Sequence, residues 1–110
     1  MDIQKTYTGL EQPTKVTKRY GRASMYYIPY DITDNGGTYT YKYVPLGPDN
    51  YTYGGLVDAI IGTKYSLSEV IAIVINYVSD SGNEIYKTEF EELQEWRQFA
   101  KIEARKYFNM

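Results

Sequence analysis

Residues 25–44 read Met-Tyr-Tyr-Ile-Pro-Tyr-Asp-Ile-Thr-Asp-Asn-Gly-Gly-Thr-Tyr-Thr-Tyr-Lys-Tyr-Val, and this stretch decides the fold. Within Met25–Ile32, the side chains of Tyr26, Ile28, Tyr30 and Ile32 recur with the period of a strand and share one face. Pro29 has no amide to donate to a ladder, which places this strand at an edge or at a bulge. Asp34-Asn35-Gly36-Gly37 follows, and Asn and Gly accept the positive φ that a tight turn needs. Thr38–Val44 then alternates strictly, with Tyr39, Tyr41 and Tyr43 on one side and Thr38, Thr40 and Lys42 on the other. The two strands are expected to pair as a hairpin whose inner face is two tyrosine-rich rows in cross-strand contact. Tyr39, Tyr41 and Tyr43 are expected to pack on the core, because one face of a single sheet needs covering.

Towards the N-terminus, Thr14–Tyr20 (TKVTKRY) mixes β-branched and basic residues and reads as an edge strand, its Lys and Arg discouraging edge-to-edge pairing. Residues 1–12 carry no clear period and read as an arm. Towards the C-terminus, Pro45–Asn50 ends the hairpin. Asp49 or Asn50 is then expected to cap a short helix over residues 51–62, with Leu56, Val57, Ile60 and Ile61 as its apolar stripe and Gly62 as its stop. Gly54 and Gly55 weaken that helix at its start.

Ser66-Leu67-Ser68-Glu69 matches a capping box and predicts a helix over residues 67–78. Its β-branched content makes a strand the rival reading, and the capping box decides for helix. With Val70, Ile71, Ile73, Val74, Tyr77 and Val78 it is apolar nearly all round and is expected to be the most buried helix. After a turn at Asp80–Asn83, one long helix is predicted from Glu84 to Phe108, acidic in its first half and basic at its end, as the helix dipole favours. The expectation is a single α+β domain over residues 1–110: an arm (1–12), a β-rich part (14–48) and a helical part (49–110). A tyrosine-rich antiparallel hairpin or small sheet packs on two short helices and one long C-terminal helix.

The chain holds fourteen tyrosines in 110 residues and neither Cys nor His. Tyr joins a large apolar ring to a polar tip and builds contact surfaces at low entropic cost. Missing Cys and His removes the commonest nucleophile, general base and metal ligands, so no enzyme, metal or cofactor is expected. The formal net charge of −2 argues against a nucleic-acid partner. The longest strongly apolar run, Val70–Ile75, is too short to span a bilayer, and MDIQKTYTGLEQP lacks the apolar core of a signal peptide.

Four features are candidates for function. Tyr20, Tyr27, Tyr51 and Tyr53 fit the core pattern least well and are the best candidates for a contact surface. Trp96 with Arg97 is a pair enriched at interfaces, although a Trp anchoring the long helix to the sheet explains it equally. Lys5, Lys15, Lys18, Arg19 and Arg22, with Tyr7 and Tyr20 interleaved, form a basic segment whose simpler reading is a solvated edge or an arm docking on an acidic neighbour. Glu89, Glu91, Glu92 and Glu95 crowd a helix start, where dipole and solubility already account for them. No phosphate-binding glycine loop or nucleophile elbow occurs.

Residues 51–77 (YTYGGLVDAIIGTKYSLSEVIAIVINY) and 90–101 (FEELQEWRQFAK) resemble small uncharacterised proteins of phages and prophages of gut Bacteroidales. The matching positions are Leu56, Val57, Ala59, Ile60, Ile61, Tyr65, Ser66, Glu69, Leu93, Gln94, Trp96, Arg97, Ala100 and Lys101. The resemblance covers about half of the chain and implies a mobile-element origin, with no activity to carry over. The expected function is therefore a phage or prophage interaction protein: a virion component or an assembly accessory factor that buries a Tyr/Trp surface against copies of itself or a larger structural protein. The expected location is the host cytoplasm or a virion. The alternatives are a phage-encoded inhibitor of a host protein, docking through its acidic helix face, and a carbohydrate-binding module using exposed Tyr.

Overall fold

The computed structural model describes residues 5–110. It is an α+β chain with four antiparallel strands, β1 (Tyr7–Gly9), β2 (Val16–Tyr20), β3 (Ala23–Asp34) and β4 (Tyr39–Leu46). A short 3-10 turn at Pro48–Asn50 leads into three helices, α1 (Tyr53–Gly62), α2 (Leu67–Ser79) and α3 (Glu84–Phe108). The strand order is β1-β4-β3-β2. The predicted β3–β4 hairpin forms the centre of the sheet, and β2 is an edge strand as its composition requires. The other edge comes from the expected arm: Tyr7–Gly9 pair with Tyr39–Tyr41. Residues 1–4 of that arm lie outside the described residues.

The turn between β3 and β4 uses its glycines as expected. Gly36 and Gly37 have φ of +76° and +144°, and the Gly36 amide donates to Asp34 Oδ1 at 2.9 Å. Pro29 lies in β3 beyond the Val16–Tyr27 pair at which the ladder with β2 stops, so only β4 pairs with that part of the strand, Pro29 standing opposite Tyr43. The bulge falls two residues later, where β3 gains one residue on β4 between the Tyr30–Lys42 and Thr33–Thr40 pairs. Asp31 occupies it with φ of +53°. Its amide donates to Glu103 Oε1 of α3 at 2.7 Å, and its carboxylate accepts from Lys42 Nζ at 2.9 Å. Glu103 thus pins the bulge to the long helix.

The register corrects the expected orientation of β4. Ile28 faces Val44 and Tyr26 faces Leu46, and Ile28, Val44 and Leu46 are all buried. Lys42, Val44 and Leu46 therefore point inward, and Tyr39, Tyr41 and Tyr43 point away from the helices. Two aliphatic side chains at the end of the strand outweigh three tyrosines, because a phenol can leave its polar tip in water and an aliphatic chain gains only by burial. The inner face packs on Leu56, Val57 and Ile60 of α1 and on Ala100 and Ala104 of α3.

The helices follow the expected order with two corrections. Thr52, rather than Asp49 or Asn50, caps α1, its hydroxyl accepting from the Gly55 amide at 2.9 Å. Asp49 and Asn50 are taken up by the 3-10 turn. The capping box is formed in α2: Ser66 Oγ accepts from the Glu69 amide, and Glu69 Oε1 accepts from the Ser66 amide. Yet α2 is not the most buried helix; it holds no buried residue. Its packing is with α3, including a stack of Tyr77 on Phe90 at 4.2 Å, and the remainder of its apolar surface is uncovered. Capped by Asn83 and closed by Asn109 in the left-handed conformation, α3 spans the length predicted for it.

Candidate interaction surface

The orientation of β4 places a tyrosine cluster on the outer face of the sheet. Tyr7 stands opposite Tyr41, and its ring stacks on Tyr41 at 6.0 Å and meets Tyr43 edge-on at 5.3 Å. Tyr41 meets Tyr43 edge-on at 5.5 Å. On the other side of the same face, Tyr20 and Tyr27 share a hydroxyl–hydroxyl hydrogen bond of 3.1 Å. Both lie on the β2–β3 hairpin, which turns tightly at Gly21 (φ +64°). Between the two groups, the Tyr43 hydroxyl donates to the Thr14 carbonyl at 3.4 Å, so the connection from β1 to β2 crosses this face and leaves rings on either side of it.

Lysines border both groups. Lys5 Nζ sits 5.0 Å from the centre of the Tyr7 ring, and Lys18 Nζ sits 5.3 Å from that of Tyr27. Every residue of β2 is exposed, and Tyr20 keeps 58% of its surface in solvent. The hydrogen bond shared with Tyr20 raises the Tyr27 phenol above its ordinary value, with desolvation adding to it. Burial, and then the neighbouring Tyr41 and Tyr7, raise Tyr43. These two phenols stay neutral at physiological pH, offering an apolar ring and an O–H donor. The arrangement suits burial against another surface with hydrogen bonds at its margin.

Of the six residues singled out in the sequence, the structure brings together Tyr20 and Tyr27. Tyr51 is held inside an aromatic group, edge-on to Tyr26, Tyr107 and Phe108, with its hydroxyl bonded to that of Tyr107. Burial and that bond push the Tyr107 phenol far up. Tyr53 begins α1 and packs on the core. Trp96 also packs on the core; it stacks on Phe99 at 4.8 Å, and its Nε1 donates to the Ile60 carbonyl at 3.2 Å. Arg97 bonds Gln94 and lines a groove of about 480 Å³ between the helices. Trp96 thus anchors α3 to α1 rather than to the sheet.

In the sequence Tyr7 stands out only within the basic segment, and Tyr41 and Tyr43 are expected in the core. The signal for the last two lay in reading β4 two residues further: Val44 and Leu46 are in phase with each other and out of phase with the tyrosines. A larger cleft of about 730 Å³ opens beside Lys15, Pro29, Tyr51 and Glu103. Among the described residues there is no group of three or more acidic side chains placed to hold a metal ion, and no helix is long and apolar enough to cross a membrane. Comparison with protein-family models, curated proteins and solved structures returns no match.

Proposed function

We propose that this chain is a non-enzymatic interaction protein of phage or prophage type, a virion component or assembly accessory factor. Its contact surface is the outer face of the sheet, centred on Tyr20 and Tyr27 and continued by Tyr7. The observation that carries this reading is the exposed tyrosine-and-lysine face, with Tyr20 and Tyr27 bonded to each other and Lys18 over the Tyr27 ring. Tyrosines of this kind dominate protein contacts because burial removes much apolar area and fixes few torsions. The partner is a second copy or a larger structural protein of the same element, in keeping with the resemblance of residues 51–77 and 90–101.

The test replaces both hairpin tyrosines, Tyr20→Ser with Tyr27→Ser, in a chain co-expressed with the structural proteins of its element. Association with itself or with one of them is expected to weaken at least tenfold, with the circular dichroism spectrum unchanged. Association of wild-type strength in the double variant overturns the reading.

A further inference from the structure

A second surface lies far from the first in the chain. Leu67, Ile71, Ile75 and Val78 of α2 are 76%, 49%, 56% and 75% exposed, and Ile85 at the start of α3 is 70% exposed. Their spacing of four, four and three residues sets the α2 side chains in one line along the helix. A contiguous aliphatic stripe of this kind on one chain marks a surface that another surface covers.

Charge says which surface that is. Residues 66–95, which form α2 and the first half of α3, hold seven acids (Glu69, Asp80, Glu84, Glu89, Glu91, Glu92, Glu95) against Lys87 alone, a net −6. Residues 12–30, which include the paired part of the β2–β3 hairpin (Val16–Tyr27), hold Lys15, Lys18, Arg19 and Arg22 and no acid, a net +4. The two segments lie on elements that make no extensive contact within the chain: α2 packs on α3, and β2 packs on β3. Each chain therefore carries both halves of a complementary pair and cannot satisfy them internally. Pairing two acidic surfaces with each other would set like charges together, whereas pairing acidic with basic sets opposite charges together, either reciprocally in a closed dimer or head to tail in an open chain.

We propose that the chain self-associates head to tail: the acidic, aliphatic face of α2 and the first half of α3 in one copy docks on the basic, tyrosine-bearing β2–β3 hairpin of the next. The aliphatic stripe covers the rings of Tyr20 and Tyr27, while Lys18, on the same face, and Arg22, at the turn, meet the surrounding carboxylates. Such a contact leaves one face free at each end, so it propagates into a ring or a filament. The inference rests on the contact surface proposed above and names its occupant.

Two variants test it, one on each face: Ile71→Gln with Ile75→Gln, and Lys18→Glu with Arg22→Glu. All four positions are exposed, so both variants are expected to keep the wild-type circular dichroism spectrum. In light scattering across a concentration series, the wild-type mass is expected to rise beyond that of a dimer. Each variant alone is expected to remain a monomer. A one-to-one mixture is expected to give a dimer and nothing larger, because it contains one intact pair of faces. A wild-type chain that stays monomeric, a wild type that stops at a twofold dimer, or a mixture that stays monomeric overturns the head-to-tail contact. A monomeric wild type that still binds a structural protein through Tyr20 and Tyr27 leaves the function proposed above standing; loss of both removes both.

Discussion

Gly54 and Gly55 are adjacent in sequence and opposite in role. A Cβ added to Gly55 would lie 2.0 Å from the Asn50 carbonyl oxygen, a distance at which the backbone must move. A Cβ added to Gly54 meets nothing within 4 Å. The 3-10 turn at Pro48–Asn50 folds back against the first turn of α1, and Gly55 is the residue that lets the two backbones touch. Gly55→Ala is therefore expected to lower the stability by about 2 kcal/mol or more, as overpacking does, with a fall in the thermal midpoint. Gly54→Ala is expected to raise the stability by about 0.5–1 kcal/mol, with a rise in the midpoint, because Ala restricts the unfolded chain and favours helix. Thermal unfolding of the two variants followed by circular dichroism checks both signs, and equal effects would remove the close-approach argument.

At the scale of the element, α2 shows how a helix forms without a core around it. Its capping box satisfies two amides, and its β-branched residues, which would otherwise favour a strand, are carried along once the first turn is set. The amide and hydroxyl of Ser66 hold the Glu69 carboxyl below its ordinary value of 4.5. A carboxyl lowered by folding contributes stability that is full above pH 4.5 and is lost as the pH falls through its folded value. The difference in melting temperature between the wild type and Glu69→Ala is expected to be constant at neutral pH and to shrink on acidification below pH 4.5. A difference that persists at the lowest pH would assign the effect to helix propensity instead. The element boundaries of β3, α2 and α3 were legible because each carries a local device: a turn with glycines, a capping box, an Asn cap. Which face of β4 is buried was not legible within Thr38–Val44, because Tyr43 and Val44 are both acceptable inside; only the phase of Val44 with Leu46, and Ile28 and Tyr26 across the ladder, decide it. The exposure of α2 was not legible either, since an apolar helix reads as buried whether its own chain or another chain buries it. Tyr20 and Tyr27 are named together from the sequence as candidates for a contact surface, but their partnership with each other depends on a register that two strands set jointly.

The molecule as a whole is spread out for its length. Its Cα radius of gyration is 16.1 Å, where a compact domain of this size has about 13 Å. Its extents are 47 × 39 × 28 Å. Ten hydrophobic residues form the buried set among those described, while the aliphatic line of α2 and the ring of Tyr20 remain in solvent. A small core gives a small margin of stability, and any contact made only by the folded chain adds to that margin by mass action. If the added contact joins the net +4 and net −6 segments, it is screened by salt, because the Debye length shortens from about 10 Å at 0.1 M to about 3 Å at 1 M. The thermal midpoint is thus expected to rise with protein concentration in low salt and to lose most of that dependence in 1 M sodium chloride. A midpoint independent of concentration in low salt would show that the folded chain gains nothing from other copies. A dependence that survives 1 M salt would assign the contact to Ile71, Ile75 and Val78, with the charges choosing the partner and the aliphatic stripe holding it.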